Sequence, residues 1–328
     1  MLILSKSLIG LILGLIISIL LGAFVIPFFK KKKIGQSVSH HLNVRHLAKS
    51  GTPTMGGIIF VLPPLIILTL LFFTHRINFS LNLVSIIFVF LAYAVLGFLD
   101  DFLKVKWKNN KGLSILGKLF CEVIIALLFF IFFLLAGNNT ILSLFNMDLD
   151  LKYLYGIFML FMLVASSNAV NITDGLDGLC AGLCAISYLT YGIIAWNSSY
   201  VLGYQEIALF CFILAGSLMG FLFFNFYPAK IFMGDLGALA LGGTLAAIAI
   251  ILKKEMSLIL IGIVYIIETL SSLFQIIAIK CFKKKILLKS PLHHHLEELN
   301  YCESDIIKIF YVIGLLFSLI SLIIYVWL

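Results

Sequence analysis

Residues 83–104 read LVSIIFVFLAYAVLGFLDDFLK, an apolar run that ends in two adjacent carboxylates and a lysine. A membrane-spanning helix needs about 20 consecutive, mostly apolar residues, and this run supplies most of them. Asp100 and Asp101 repel each other, and the hydrocarbon core of a membrane is a costly place for their charges. The stretch therefore predicts a spanning helix whose end lies outside the hydrocarbon, with a cation close to the two acids.

The rest of the chain repeats the apolar part of this pattern. It has 328 residues, of which 62% are hydrophobic and 12% charged, whereas soluble domains are about half apolar and a quarter charged. A backbone in lipid must satisfy its own hydrogen bonds, and the runs lack the alternation of barrel strands, so we expect helices. The sequence predicts an all-α integral membrane protein, one polytopic catalytic domain over residues 1–328, with ten spans at 3–29, 54–73, 79–99, 115–136, 153–170, 178–196, 205–224, 236–252, 256–279 and 308–328.

The basic residues predict the orientation of these spans. All but five of the 23 lysines and arginines fall in or beside one alternating set of loops, at 30–53, 100–114, 171–177, 225–235 and 280–307. By the positive-inside rule these loops lie in the cytoplasm, which places both termini outside; an active site formed by these loops would lie at the cytoplasmic face. The net charge of +8 suits membrane lipid headgroups or an anionic substrate, and we expect no nucleic acid partner.

Acidic residues at the cytoplasmic span ends are the first candidates for chemistry. Adjacent carboxylates can bind a divalent cation, or one can bind the metal while the other accepts a proton. A polar stop to the span is the alternative for Asp100 and Asp101, but the lysines at 104, 106, 108 and 111 already provide that stop. Asp235 opens the apolar stretch LGALALGGTLAAIAI, where it is either a helix cap or a further ligand of the same cation.

The segment 171–178, NITDGLDG, lies between two predicted spans. Asn171, Asp174 and Asp177 recur every third residue, so one helical turn would bring them near one face, and the glycines let a ligand approach the backbone. An ordinary turn with Asx caps would explain one Asp-Gly step but not two together with an Asn. The segment is too short for an EF-hand and lacks its terminal Glu. It predicts a polar ligand-binding loop.

Two further segments complete the set. Residues 49–57, KSGTPTMGG, place Lys49 and Thr54 among glycines at the start of a span, a suitable cradle for phosphate that is not a Walker A loop. Residues 293–295 are three consecutive histidines, which cannot all face one way on a helix, so we expect at least one to point inward; a zinc site is the alternative. Carboxylates, Lys, Asn and His without a Ser or Cys nucleophile box predict metal-assisted phosphoryl chemistry.

Five segments together resemble a known family. GTPTMGG at 51–57, FLDDFLK at 98–104, NAVNITDGLDGL at 168–179, NFYPAKIFMGDLGALALGG at 225–243 and SPLHHHLE at 290–297 are similar, in matching order, to the bacterial phospho-N-acetylmuramoyl-pentapeptide transferases of the polyprenyl-phosphate N-acetylhexosamine-1-phosphate transferase superfamily. The resemblance implies that undecaprenyl phosphate attacks the β-phosphate of UDP-MurNAc-pentapeptide, giving lipid I and UMP, with Mg²⁺ required. It also implies the bacterial cytoplasmic (inner) membrane as location and permits a homodimer.

The resemblance further implies a role for each matched residue. Asp235 would bind Mg²⁺, Asp100 would deprotonate or orient the lipid phosphate, and Asp101 would support the site or the metal. The remaining residues would bind substrate: Asn171, Asp174, Asp177, Asn225 and Phe232 at the nucleotide, Lys49 and Thr54 at phosphate or sugar, and His293, His294 and His295 at the sugar-phosphate side, His293 among the catalytic residues. We expect a single displacement, with activity that falls at low pH because the acids must stay ionised.

Three alternatives remain open on the sequence. Transfer of GlcNAc-1-phosphate would use the same superfamily site, although the triple histidine with PTMGG favours the muramoyl-pentapeptide branch. An intramembrane aspartyl protease needs both acids within spans, whereas these acids lie at span ends beside lysines. A transporter would place polar groups near the membrane midplane, where Glu122 and Glu268 are the candidates.

Overall fold

The computed structural model describes residues 2–32, 51–107, 112–144 and 147–327. In these ranges β1 (Ile141–Leu144) and β2 (Met147–Asp150) form an antiparallel hairpin in which Ile141 pairs with Asp150. π-Helical turns cover Ala278–Phe282 and Ile323–Trp327. The helices are α1 (Leu2–Lys31), α2 (Ile58–Phe73), α3 (Leu81–Trp107), α4 (Ile115–Leu135), α5 (Leu154–Thr173), α6 (Leu179–Trp196), α7 (Tyr204–Asn225), α8 (Gly234–Ile251), α9 (Ser257–Ile261), α10 (Ile263–Ile277), α11 (Leu292–Glu298) and α12 (Glu303–Leu322).

Each predicted span coincides with helix, which agrees with an all-α integral membrane protein. Among the described residues, nine helices are long and apolar enough to cross a membrane. The predicted span 54–73 holds α2, which has 16 residues and contains Pro63 and Pro64. Residues 54–57 lead into α2 without being helical, so α2 alone is shorter than the roughly 20 residues that a bilayer requires. The second predicted span, 54–73, therefore stays a prediction, whereas the other nine have a helix of sufficient length.

The predicted helix ends are wrong where polar residues continue a helix. α3 extends past the predicted end at residue 99 to Trp107, and α12 begins at Glu303 rather than at 308. Hydropathy indicates which residues lie in lipid, but it does not show where a helix begins or ends. The acids Glu303 and Asp305 stabilise the first turn of α12 because the helix dipole is positive there. Asp100 and Asp101 consequently lie within a helix rather than in a loop.

α7 and α8 form the centre of the bundle. In each of these helices 89% of the residues in the most apolar 18-residue stretch are buried inside the protein. Helices α1, α2 and α6 pack around α7, and helices α3 and α5 pack against α8. In the corresponding stretches of α1, α4 and α12 only 28%, 28% and 22% of the residues are buried. These helices expose large apolar side chains such as Phe24, Ile131 and Leu316. Apolar surface of this extent suits contact with lipid.

The two ends of the bundle hold different residues. One end, called the site end below, joins the last turns of α3, α5 and α7 to the first turns of α6 and α8. Residues near both termini lie at the other end, where Lys6 donates a hydrogen bond to the carbonyl of Arg76 at 3.3 Å and Asn197 donates to the carbonyl of Val326 at 3.1 Å. Which end faces the cytoplasm follows from the loop charges alone and stays a prediction.

A buried polar cluster closes the end away from the site. Lys253 Nζ lies 3.3 Å from Glu255 Oε1, 2.8 Å from the hydroxyl of Tyr155 and 3.2 Å from the carbonyl of Asn139. Tyr155 also donates a hydrogen bond to Glu255. The cluster connects the start of α5 and the hairpin to the turn between α8 and α9, so it fixes helix positions far from the acidic candidates.

Candidate active site

Lys104 lies between two carboxylates that come from different helices. Its Nζ is 2.5 Å from Asp100 Oδ2 and 2.7 Å from Asp235 Oδ2. Asp100 and Lys104 are four residues apart on α3 and therefore share one face, whereas Asp235 lies in the first turn of α8. The other oxygen of Asp100 accepts a hydrogen bond from the backbone N–H of Leu113 at 2.7 Å. The cation expected beside the two acids is thus a lysine of their own helix. Asp100, Lys104 and Asp235 are called the Lys104 cluster below.

Asp101 holds the start of α8 in place. Its Oδ2 accepts a hydrogen bond at 3.1 Å from the backbone N–H of Leu236, one of the groups that the start of a helix leaves without an intrahelical partner. Gly234 has a φ of +75°, and a Cβ there would lie 2.4 Å from Asp101 Oδ2 and 3.0 Å from Thr54 Oγ1. A side chain at position 234 would therefore displace the Asp101 carboxylate that accepts the hydrogen bond of Leu236.

The glycine-rich segment before α2 pairs with the segment before α8. The backbone N–H of Phe232 donates to the carbonyl of Pro53 at 2.8 Å, and the N–H of Gly56 donates to the carbonyl of Phe232 at 2.8 Å. Thr54 is buried at this contact and Phe232 is half-buried. The predicted phosphate cradle thus lies beside the predicted metal ligand. Lys49, the other candidate of this segment, lies outside the described residues.

The NITDGLDG segment reaches the same carboxylates from α5. Asn171 Nδ2 donates a hydrogen bond to Asp235 Oδ1 at 2.7 Å. Asp174 follows just beyond the end of α5, and its burial, together with the nearby carboxylates of Asp235, Asp101 and Asp177, raises its pKa from 3.8 to about 8. The four acids repel one another when they are ionised, and a divalent cation would offset this repulsion.

Asp177 and Asn225 connect two loops of the site end. Asp177 Oδ2 accepts a hydrogen bond from the backbone N–H of Ala229 at 3.0 Å. Asn225 accepts one from the N–H of Gly178 at 3.1 Å and donates one to the carbonyl of Ile231 at 2.9 Å. Because α5 ends at residue 173, the three-residue spacing does not place Asp177 on the helical face predicted for it. Both buried side chains hold segments 171–178 and 226–233 together.

The three histidines of α11 have three different partners. His293 is buried, with its Nδ1 2.9 Å from Glu268 Oε2. His294 is half-buried, with its Nδ1 2.6 Å from Glu297 Oε2, and burial lowers its pKa below the ordinary value. His295 accepts a backbone N–H from the segment before α11 at 3.2 Å. Only His293 points into the protein, which agrees with the expectation that consecutive imidazoles cannot share a face.

An open cavity of about 440 Å³ adjoins the Lys104 cluster and lies between α3, α4 and α5. Glu122 belongs to its wall, where it accepts hydrogen bonds from Ser167 at 3.2 Å and from Asn168 at 3.1 Å. The lining therefore contains both polar and apolar side chains. Its polar residues are Asp100, Lys104, Lys118, Glu122, Asn168 and Asp235, and its apolar residues are Leu113, Ile115, Leu119 and Val164.

The donor chemistry of the Lys104 cluster fits Mg²⁺. This ion prefers oxygen ligands and is usually held by one or two protein carboxylates together with water and substrate phosphates. Asp100 and Asp235 offer such oxygens, now engaged by the ammonium of Lys104. Within the described residues, no three His, Cys, Asp or Glu side chains are already arranged as a metal site. A cation here would take its other ligands from substrate and water, and the zinc alternative has no ligand set among these residues.

The sequence interpretation missed the roles of three charged residues. Lys104 counted there as part of a polar stop, although its spacing of four from Asp100 on a continuing helix was a usable signal. Glu122 and Glu268 counted as candidates of a transporter, whereas the structure places Glu122 on the cavity wall and Glu268 against a histidine. Glu268 and His293 are 25 residues apart, and no local pattern joins them.

Comparison with known proteins extends the resemblance to the whole chain. Residues 83–253 match the profile of Glycosyl transferase family 4, and residues 49–61 match the Phospho-N-acetylmuramoyl-pentapeptide-transferase signature 1. The phospho-N-acetylmuramoyl-pentapeptide-transferase of Geobacillus thermodenitrificans is 43% identical over 97% of this chain and 98% of its own. The proteins of that name from Oceanobacillus iheyensis and Bacillus subtilis are each 43% identical over 97% of both chains. The chain therefore belongs to the phospho-N-acetylmuramoyl-pentapeptide transferase family.

Proposed function

We propose that this enzyme transfers phospho-MurNAc-pentapeptide from UDP-MurNAc-pentapeptide to undecaprenyl phosphate, which releases UMP and forms lipid I for peptidoglycan synthesis. The observation that carries the proposal is the Lys104 cluster, in which one ammonium contacts carboxylates of two helices beside a cavity lined by both polar and apolar side chains. A polyprenyl phosphate brings an apolar chain and a charged head to one place, and this cavity offers both kinds of surface.

The cavity supports the acceptor half of the reaction. The apolar side chains of Ile115, Leu119 and Val164 in its lining suit part of a polyprenyl chain, and its lysines attract a phosphate. Asp100 lies next to the ammonium of Lys104, so it would accept a proton from the lipid phosphate or hold that phosphate in line for attack. No carboxylate nucleophile is needed, because the phosphate itself attacks the donor.

The carboxylates support the binding of Mg²⁺ with the donor diphosphate. Asp235 is the proposed ligand, with Asp100 beside it, and the amide of Asn171 fixes the orientation of Asp235. When bound, Mg²⁺ would offset the negative charge of the diphosphate and of the departing UMP. Lys104 adds a fixed positive charge at the same place, where preorganised electrostatic stabilisation is most effective.

The loops of the site end support the donor half. Asn171 and Asp174 lie beside the carboxylate of Asp235 and would line the nucleotide pocket. The half-buried Phe232 is a further proposed member of this pocket. His293 and His294 would meet the sugar-phosphate side, with His295 and Lys49 as further predicted contacts. Asp177, Asn225 and Thr54 are buried, and Asp177 and Asn225 bond to backbone, so they would shape this pocket chiefly by fixing its loops.

The proposed location is the cytoplasmic face of the bacterial cytoplasmic (inner) membrane. The loops of the site end belong to the set that carries all but five of the 23 lysines and arginines, as expected of cytoplasmic loops. A sugar nucleotide is a water-soluble donor that would reach the site from that side. A homodimer is proposed from the family resemblance alone.

The test is UMP release by purified protein supplied with UDP-MurNAc-pentapeptide and undecaprenyl phosphate, with Mg²⁺ or with EDTA. We expect UMP and a lipid-linked product in equal amounts, only with both substrates and the metal. Faster reaction with UDP-GlcNAc would favour the GlcNAc-1-phosphate alternative. No UMP from any donor, with solute uptake into vesicles that depends on Glu122 and Glu268, would favour a transporter.

A further inference from the structure

Glu268 and His293 form a buried pair. The proposed reaction uses His293 but gives Glu268 no role. Their exposed fractions are 0% and 1%, and His293 Nδ1 lies 2.9 Å from Glu268 Oε2. The backbone N–H of His293 also approaches the carboxylate, at 3.2 Å from Oε1 and 3.4 Å from Oε2. One carboxylate on α10 thus holds both the main chain and the ring of a single residue on α11.

This contact determines which ring nitrogen of His293 is free. A carboxylate only accepts hydrogen bonds, so Nδ1 carries the proton that is shared with Glu268. Nε2 then points away from Glu268, and it is buried without a hydrogen-bond partner among the described residues. Buried polar atoms nearly always have a partner, so an unpartnered one is a marker for a missing ligand.

The free nitrogen faces the loop that meets the carboxylates. A Cβ at Gly175 would lie 2.2 Å from His293 Nε2, so the ring edge lies directly against this position of the NITDGLDG segment. Gly175 follows Asp174, whose carboxylate interacts with that of Asp235. The absence of a side chain at 175 is therefore what lets the imidazole approach the site end.

The neighbouring contact on α10 has a different effect. Ser271 Oγ accepts a hydrogen bond from the backbone N–H of Leu292 at 3.0 Å. Glu268 and Ser271, three residues apart on α10, thus receive the first N–H groups of α11, which have no intrahelical partners. Ser271 attaches α11 without touching a histidine ring, whereas Glu268 attaches α11 and also orients a ring. This difference separates helix docking from ring orientation.

We propose that Glu268 is a positioning residue for the transfer reaction, which holds the ring of His293 so that Nε2 can accept a hydrogen bond from a hydroxyl group of the donor sugar. This inference rests on the proposed function. It assigns to Glu268 no contact with substrate: its effect passes through the imidazole. An outer carboxylate that orients a functional histidine typically contributes about 10- to 100-fold to binding or activity.

The experiment compares Glu268→Gln, Glu268→Asp, His293→Gln and the double variant Glu268→Gln/His293→Gln, with Ser271→Ala as the docking control. We expect Glu268→Gln to lower kcat for UMP release at least about 10-fold while the donor KM changes less than about 3-fold. Glu268→Asp should recover part of this loss because it keeps the carboxylate. The double variant should be no slower than His293→Gln, and Ser271→Ala should keep most activity.

A second readout follows the ring itself. In protein labelled with ¹⁵N-histidine, the His293 signals are those lost in His293→Gln. At a pH where the ring is neutral, we expect the proton on Nδ1 in the wild type and a shift toward the Nε2–H form in Glu268→Gln. If Glu268→Gln cannot be recovered as folded protein, the test relies on two other measurements. These are the tautomer of His293 in the wild type and the kcat of Glu268→Asp.

Four results would overturn the inference. One is wild-type kcat in Glu268→Gln, another is a double-variant loss equal to the product of the two single losses, and the third is an Nε2–H tautomer in the wild type. An equal loss in Ser271→Ala would reduce Glu268 to helix docking and also reject the inference. Failure of the proposed function looks different, because the wild-type protein itself would then release no UMP.

Discussion

Lys104 and Asp235 are 131 residues apart in the chain, yet Lys104 Nζ lies 2.7 Å from Asp235 Oδ2 and 2.5 Å from Asp100 Oδ2. The contact joins the polar last turns of α3 to the first turn of α8. The carboxylate of Asp235 therefore depends for its position on α3, a helix to which it does not belong. Because the ammonium and the carboxylates form one unit, loss of any member changes the other two.

Lys104→Met keeps the length of the side chain and removes its charge. We expect kcat for UMP release to fall about 100-fold or more, because a fixed positive charge at the transferred phosphate is lost and two carboxylates are left unbalanced. Steady-state kinetics with both substrates saturating measure this effect. Lys106→Met, at an exposed position on the same helix, is the matched control and should retain activity. More than a third of wild-type kcat in Lys104→Met would contradict the role assigned to the cluster.

Asp235→Asn keeps the size of the side chain and removes the proposed Mg²⁺ ligand. We expect no measurable UMP release and no increase of Tm when Mg²⁺ is added, whereas the wild type should gain stability from the ion that it binds. Thermal unfolding with Mg²⁺ and with EDTA measures the second effect independently of activity. Asp305→Asn changes an exposed acid and serves as the control. Substantial Mg²⁺-dependent activity in Asp235→Asn would show that the ion is held elsewhere.

The raised pKa of Asp174 makes stability depend on pH in the absence of metal. Its pKa is 3.8 when unperturbed and about 8 in the fold, so between these values the native state binds the extra proton and the unfolded state does not. The stabilisation is complete below pH 3.8 and is lost as the pH rises through about 8. We expect the Tm in EDTA to fall from pH 5 toward pH 8, and Asp174→Asn should flatten this profile. An unchanged slope in that variant would assign the effect to other groups.

Gly234→Ala should displace the Asp101 carboxylate from the start of α8. Gly234 has a φ of +75°, and its added Cβ would lie 2.4 Å from Asp101 Oδ2. Gly137→Ala is the matched control, because Gly137 has a φ of +77° with nothing within 4 Å of an added Cβ. Backbone strain alone costs about 1–3 kcal/mol. We expect both variants to lose stability, but only Gly234→Ala to lose nearly all UMP release. Equal activity in the two variants would show that the contact with Asp101 is dispensable.

The predicted orientation can be tested by labelling. Lys230, at the site end, and Asp148, in the hairpin, are both exposed and can be replaced by cysteine after the exposed Cys281 and Cys302 are changed to serine. We expect a membrane-impermeant maleimide to label Lys230→Cys only in inside-out vesicles and Asp148→Cys only in intact spheroplasts. The reverse pattern would place the site end outside the cytoplasm and reject the proposed location.

The sequence predicted the helices well because lipid imposes a simple rule on composition. Each predicted span coincides with helix, but the polar end of α3 was assigned to a loop. Hydropathy cannot detect a helix that leaves the membrane and continues, as α3 does to Trp107. This single error hid the spacing of four between Asp100 and Lys104 and therefore the centre of the candidate site.

Contacts between distant segments required the structure. Asn171 and Asp235 were both predicted as site residues, and the structure shows the hydrogen bond between them. The pairing of Glu268 with His293 had no sequence signal, since a Glu inside an apolar run has many available explanations. Asp177 and Asn225 were predicted as ligand contacts, and their bonds to backbone depend on how two loops meet, which residue type alone does not encode.

Lys6 and Val326, near the two ends of the described residues, lie at the end of the bundle away from the Lys104 cluster. A tether attached close to either residue would therefore hold the protein on a sensor surface with its candidate site facing the flowing solution. A tag at that end of the bundle would not obstruct a sugar nucleotide that approaches the candidate site at the opposite end. Immobilised protein should consequently bind donor nucleotide as well as free protein does, whichever of the two positions carries the tether.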